Sequence, residues 1–170
     1  MSTVNSAPPR PNNTSNAVEK AAAQRFLPFL REWLNEVEEE FTDEELIADI
    51  IRAAGRSHGD AFHMAKAFDD MGYNGDYELC ELCVSWDSFQ HEETTKAVKQ
   101  WVIDNNILPE FEVGDQIVYF QNGTYGAQKQ GQGPIAEIRR EIAVYMVPTS
   151  PTSSRYVPYE QALQLTDPIV

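Results

Sequence analysis

The chain has 170 residues, 42% of them hydrophobic, which suits one compact domain or two small ones and excludes disorder throughout. No apolar run approaches the roughly 20 residues that span a bilayer, and the N-terminus lacks the basic start and apolar middle of a signal peptide. We therefore expect a cytoplasmic protein that does not contact membranes. Two cysteines exclude a scaffold built on several disulfides.

The net charge of −14 is unevenly placed along the chain. The segment from Glu32 to Glu93 holds 18 acidic residues against three basic ones, and the rest of the chain sums to about +1. Because binding of nucleic acid depends on Lys and Arg displacing counterions, we expect no direct nucleic-acid binding by this segment. The charge favours a partner protein with a basic surface, although an acidic surface also keeps a protein soluble.

The first two thirds of the chain predict a tail and then helices. Residues 1–16 are rich in Pro, Asn, Ser and Thr and predict a flexible tail. Residues 17–107 predict an acidic helical bundle, because apolar residues recur at helical spacing between short turns. Pro28 is expected to kink or split the first helix. The run Thr42-Asp43-Glu44-Glu45 is typical of a capping box that begins the second helix.

From Pro109 onward the pattern changes to short strands. β-Branched and aromatic residues replace the helical periodicity, and a long polar loop with four glycines covers 121–134. Four or five short strands within about 60 residues cannot make two sheets, so we expect residues 108–170 to curl into a small barrel. The predicted fold class is α+β, with an N-terminal acidic helical bundle followed by a small β-barrel.

A series of short motifs follows a fixed order over residues 111–165. They are Val113-Gly114-Asp115, Ile117-Val118-Tyr119, Gly131 and Gly133 before Ile135 and Ile138, Tyr145-Met146-Val147, and Tyr156-Val157-Pro158 before Leu163 and Leu165. In these motifs the segment resembles the SH3-like barrels of the Tudor and KOW families. In their order it is also similar to the RNA-polymerase-interacting module of CarD-type regulators. The resemblance implies that the small β-barrel is SH3-like, and it leaves the helical half unmatched.

Two sets of residues could hold a metal, and neither pattern is complete. Cys80 and Cys83 could join His58, His63 and His91 in a zinc site, but Cys83 shares the helical face of Leu79 and Trp86, which favours structural thiols. The second set falls near the spacing of an EF-hand calcium loop, but its third position is a glycine without a side-chain oxygen. Its members are Asp70, Gly72, Asn74, Gly75, Asp76, Glu78 and Glu81. We predict neither a metal nor a cofactor, and the chain carries no motif of a catalytic site.

The sequence predicts a non-catalytic protein-binding adaptor or regulator. It would dock through the rim of the barrel, where tyrosines and arginines meet the loop 121–133, and through an acidic helical face. One alternative is an acidic inhibitor that mimics nucleic acid, as phage and plasmid counter-defence proteins do, and another is a metal-binding protein. The partner's identity and the oligomeric state stay open. The candidate partner-binding residues are Tyr125, Tyr156, Arg139, Arg140, Glu38, Glu39, Glu40, Glu44 and Glu45.

Overall fold

The computed structural model describes residues 7–34, 41–57, 59–122 and 128–165. Within them the fold is mixed α+β, with helices first and strands after. The helices are α1 (Asn16–Leu34), α2 (Asp43–Ser57), α3 (Ala61–Asp70), α4 (Tyr77–Cys83) and α5 (Trp86–Asp104). The strands are β1 (Gln116–Asn122), β2 (Gln128–Pro134), β3 (Glu137–Arg139), β4 (Val144–Ser150), β5 (Ser153–Pro158) and β6 (Ala162–Gln164). None of the described helices is long and apolar enough to cross a membrane.

The chain divides into two compact units. We call Pro11–Ala97 the helical unit, and Met1–Arg10 together with Val98–Val170 the strand unit. The division falls inside α5, whereas the sequence places it between residues 107 and 108. The reason is burial, because Trp101 and Ile107 belong to the core of the strand unit. A long helix offers more than one apolar face, so helical periodicity alone does not assign it to a core.

The helical unit is built around one apolar core. Its largest fully buried side chains are Phe26, Leu30, Leu46, Ile50, Met64, Phe68 and Leu79. Of the two outcomes expected at Pro28, a kink or a split, the split does not occur, since α1 continues through this residue to Leu34. Pro28 and Gln24 are both exposed, so the carbonyl that loses its helical donor at Pro28 can bond to water instead.

Capping side chains set where the helices of this unit begin. The capping box predicted at α2 is confirmed: Glu45 Oε2 accepts from the Thr42 backbone N–H at 2.9 Å, and Thr42 Oγ1 accepts from the Glu45 N–H at 3.3 Å. Asp60 caps α3 by accepting from the His63 N–H, and Asp76 caps α4 in the same way. These carboxylates satisfy helix N–H groups that have no partner within the helix.

The strands form two antiparallel sheets of three strands each, ordered β2-β1-β6 and β3-β4-β5. Only Ile135 and Ala136 separate β2 from β3 along the chain. The inward side chains share one core, which holds Ile117, Tyr119, Ile135, Tyr145, Val147, Val157 and Tyr159. The expectation that these strands cannot make two sheets is therefore wrong, since their pairing within the described residues gives two small ones.

The segment before α1 differs from the predicted flexible tail over residues 7–16. The Trp101 indole donates to the Pro8 carbonyl at 2.9 Å, and the Arg10 guanidinium pairs with Glu160 at 3.0 Å and donates to the Ile142 carbonyl. Farther on, Asn12 to Ser15 form a turn whose side chains bond to each other, before Asn16 begins α1. Composition predicts a tail here because the residues that bond to this segment, such as Trp101 and Glu160, lie far away in sequence.

Candidate functional site

A groove with a volume of about 600 Å³, lined by both apolar and charged residues, opens on the surface of the strand unit. We call it the rim groove. Its three large apolar side chains are substantially exposed, with Phe120 at 44%, Tyr156 at 52% and Leu163 at 51% of their full accessible area. The residues that line it are Phe120, Arg155, Tyr156, Pro158, Glu160, Gln161 and Leu163. Large apolar side chains around one concavity are typical of a surface that binds another molecule.

Strand alternation explains why these side chains point away from the core. On β1, Ile117 and Tyr119 are buried in the core of the strand unit, which turns Val118 and Phe120 to the opposite face. Leu163 on β6 pairs directly with Val118, and directly paired residues share a face. The four-residue run from Ile117 to Phe120 is therefore apolar on both faces of the sheet.

Charged groups flank Tyr156 on the neighbouring sheet. The guanidinium carbon of Arg139 lies 5.0 Å from the centroid of the Tyr156 ring, within cation–π range. Arg139 Nε also donates to Glu137 Oε1 at 3.0 Å, and this hydrogen bond raises the pKa of Arg139 above its ordinary value. Both contacts hold the Tyr156 ring and the arginine together at the surface, beside the groove residue Arg155.

The structure brings together only part of the predicted barrel rim. Tyr156 and Arg139 meet, whereas Arg140 lies exposed in the 3₁₀ turn Arg140–Ile142 that follows β3. Tyr125 lies outside the described residues. Phe120 and Leu163 were not predicted, although apolar residues at both parities of β1 indicate a second apolar face.

Part of the predicted acidic face stabilises the N-terminus of a helix. Glu44 and Glu45 lie exposed in the first turn of α2, where carboxylates are stabilised by the helix N-terminus. The Thr42 backbone N–H and hydroxyl donate to Glu45 and lower the pKa of its carboxyl. Glu38, Glu39 and Glu40 lie outside the described residues. Glu44 is thus the described member of this set that makes no capping bond.

Two of the candidate metal ligands, Cys83 and Asp76, have other roles in the fold. Cys83 is buried, which raises the pKa of its thiol to about 12, and His58 lies outside the described residues. In the calcium-like loop, Asp76 accepts from the Leu79 N–H at 2.8 Å and from the Trp33 indole at 3.1 Å. Across the part of the chain that the structure describes, no three His, Cys, Asp or Glu side chains form a group that could hold a metal ion.

The rim groove is thus the concavity of the strand unit in which exposed apolar rings, an arginine and a carboxylate converge. Comparisons with protein-family models, with curated proteins and with solved structures find no match to this chain. Its function is therefore argued from its own residues.

Proposed function

We propose that this chain is a non-catalytic protein-binding adaptor or regulator, that its strand unit is an SH3-like barrel, and that it docks a partner through the rim groove. The observation that carries the proposal is the exposure of Phe120, Tyr156 and Leu163 around one concavity. Exposed aromatic rings and an arginine are the residue types that dominate binding energy at protein interfaces.

The strand order supports the barrel. The last strand along the chain, β6, pairs with the first, β1, so that β6 and β5 become the two edges that a closed barrel would bring together. If β2 and β3 count as one bent strand, the order becomes β6-β1-β2/β3-β4-β5, that of a five-stranded barrel. A 3₁₀ turn, Tyr159–Gln161, leads into the last strand.

The groove chemistry favours an extended segment of a partner protein with an apolar or aromatic side chain. Phe120 and Leu163 offer apolar area, and Pro158 ends the neighbouring strand β5 at the edge of its sheet. Arg155 and Glu160 supply one charge of each sign at the groove, so specificity can come from hydrogen bonds. Burial of apolar area should make this docking insensitive to salt.

Affinity enrichment from lysate of the source cells with surface variants tests this function. Tyr156→Ala and Leu163→Ala should lose a protein that the unchanged chain retains at high ionic strength. Val113→Ala is the matched control, because Val113 is 62% exposed in the same unit and does not line the groove. If all four proteins retain the same set of partners, the rim groove is not the docking site.

A second candidate function, an acidic inhibitor that mimics nucleic acid, is favoured by the charge of the helical unit. The excess of 15 negative charges between Glu32 and Glu93 would attract the basic groove of a nucleic-acid-binding protein. Ion pairs of Arg25 with Glu92 and Glu93, and of Arg31 with Asp43, offset only part of this charge. Binding of this kind should weaken steeply as the ionic strength rises.

A further inference from the structure

A second groove lies within the helical unit, between α3 and α4. We call it the α3–α4 groove; its volume is about 490 Å³. Phe62 and Tyr77 stand at it with 64% and 75% of their accessible area exposed. Its lining residues are Phe62, Ala65, Lys66, Asp69, Gly75, Asp76, Tyr77 and Cys80.

The packing of α3 and α4 leaves these two rings outside the core. α3 buries Met64 and Phe68, and α4 buries Leu79 and Cys83, so the apolar positions that the core needs are already filled. The turn before α4 packs closely against α3 at Gly75, because a Cβ there would lie 3.0 Å from the Ala65 carbonyl oxygen. Phe62 and Tyr77 therefore stand exposed on either side of a close contact between α3 and this turn.

The surroundings of the groove are strongly acidic. From Asp60 to Glu81 the chain carries six acidic residues and one lysine. Asp69 and Asp76 line the groove, and hydrogen bonds led by that from the Leu79 N–H lower the pKa of Asp76, which keeps it ionised. Among the described lining residues, Lys66 alone is cationic. Apolar rings surrounded by negative charge are complementary to a ligand that carries both an apolar group and positive charge.

We infer that the α3–α4 groove binds a cationic segment of a partner protein whose apolar or aromatic side chain inserts between Phe62 and Tyr77. The inference rests on the proposed protein-binding function and assigns the helical unit a site of its own. Lysines or arginines of the segment would face Asp69 and Asp76, while its anchor covers the exposed rings. A nucleic acid is disfavoured, because its phosphates would meet the same carboxylates.

Two cysteines provide a reporter for occupancy of the groove. Cys80 lines it and is half-buried, so a segment bound there covers the thiol. Cys83 is buried and its pKa is raised to about 12, which leaves almost no reactive thiolate near neutral pH. Alkylation by iodoacetamide, followed by mass spectrometry, therefore reads Cys80 against an internal control.

The probe is a synthetic lysine-rich peptide with one central tryptophan. It should slow alkylation of Cys80 until the groove is saturated. The same peptide with alanine in place of the tryptophan should give equal protection only at about tenfold higher concentration. Phe62→Ala and Tyr77→Ala should each weaken the tryptophan peptide by about tenfold. Asp69→Asn, which keeps an oxygen for the Gly75 N–H, should lower the affinity for the tryptophan peptide by about threefold. Lys66→Ala should raise this affinity to a similar extent.

Val84→Ala is the matched control, since Val84 is exposed in the same unit but lines a different cavity. Equal protection by the tryptophan and alanine peptides, or loss of protection in Val84→Ala alone, would overturn the inference and leave only general attraction to an acidic surface. Protection by anionic lipid vesicles in place of the peptide would overturn it as well. The rim-groove variants separate this failure from failure of the proposed function, because they change the strand unit only.

Discussion

Tyr145 and Tyr159 lie side by side in the core of the strand unit, with ring centroids 4.4 Å apart. Their hydroxyls differ in what they meet. Tyr145 Oη accepts from the backbone N–H groups of Glu110 and Phe111, at 2.9 and 3.1 Å. The hydroxyl of Tyr159 is buried and finds no hydrogen-bond partner among the described residues. The Tyr145 hydroxyl therefore fixes the segment that leads into the sheet. Burial of the Tyr159 hydroxyl costs desolvation free energy that no hydrogen bond offsets.

Removing each hydroxyl should change stability in opposite directions. We expect Tyr145→Phe to lower the free energy of unfolding by about 1 kcal/mol, because two partly buried N–H groups lose their acceptor. Tyr159→Phe should leave it unchanged or raise it by about 1 kcal/mol, since no bond is lost. Urea denaturation at neutral pH measures both, each variant serving as the control for the other. A loss in Tyr159→Phe as large as in Tyr145→Phe would show that the Tyr159 hydroxyl is bonded.

Burial of Tyr159 also predicts how the stability of the chain changes at alkaline pH. Burial raises the pKa of Tyr159 to about 12 from an ordinary value of 10.0. Between these values the folded chain holds a proton that the unfolded chain has lost, so stability falls as pH rises through this window. Below pH 10 this contribution is fully present. Tyr159→Phe should therefore show a smaller loss of stability between pH 10 and 12 than the unchanged chain does.

Which aromatic residues are exposed could be predicted from the sequence only in part. Alternation on β1 separates Tyr119 from Phe120, but which of the two faces the core depends on the pairing of Val118 with Leu163, 45 positions later. Tyr156 was predicted at the rim from its position in a short strand, and it is half exposed. Its contact with Arg139 requires the register of three strands, which composition and periodicity do not contain.

At the scale of elements, the two sheets of the strand unit come close together at Gly133 on β2. A Cβ at this position would lie 2.7 Å from Cγ1 of Val147 on β4, a distance that real Cβ atoms essentially never show. Gly133 is buried and Val147 is fully buried. The absent side chain of Gly133 is thus what allows β2 and β4 to approach.

Filling that space should destabilise the strand unit. We expect Gly133→Ala to lower the free energy of unfolding by about 1–3 kcal/mol, because the added methyl group forces Val147 or the backbone to move. The double variant Gly133→Ala with Val147→Ala should lose clearly less than the sum of the two single variants, since each change offsets the volume of the other. Additive losses in urea denaturation would mean that the two residues do not share this space.

The elements themselves were largely predictable, and their boundaries were less so. Thr42 and Glu45 predict the start of α2 because a capping box is formed by residues close together in sequence. The change from helical to β-branched residues after Pro109 can likewise be seen within a short stretch of sequence. The sequence left open whether Pro28 would kink or split α1, because tolerance of a proline depends on which face of the helix is exposed. The docking of Arg10 on Glu160 joins residues 150 positions apart, which no local pattern reports.

At the scale of the whole molecule, the two proposed docking surfaces differ in the force that would hold a partner. Phe120, Tyr156 and Leu163 offer apolar area in a strand unit where Arg139 and Arg155 stand nearby. The helical unit offers negative charge, which the sequence alone predicted from the excess between Glu32 and Glu93. Apolar contacts are little affected by salt, whereas interactions between exposed charges weaken as the Debye length falls from about 10 Å at 0.1 M to about 3 Å at 1 M.

Charge reversal separates the adaptor from the nucleic-acid mimic. We expect the combined variant Glu38→Lys, Glu39→Lys, Glu40→Lys and Glu44→Lys to retain partners held by the rim groove, and to lose any basic partner held by the acidic face. Glu45 is left unchanged, because it caps α2 through Thr42 and its loss would disturb the helix itself. Enrichment between about 0.1 M and 1 M salt should reproduce the same division, the basic partner being lost first. If a single partner survives both the charge reversal and high salt yet is lost in Tyr156→Ala, the adaptor stands and the mimic is excluded. If the partner disappears with the charge reversal while Tyr156→Ala retains it, the acidic face is the functional surface and the rim groove is not.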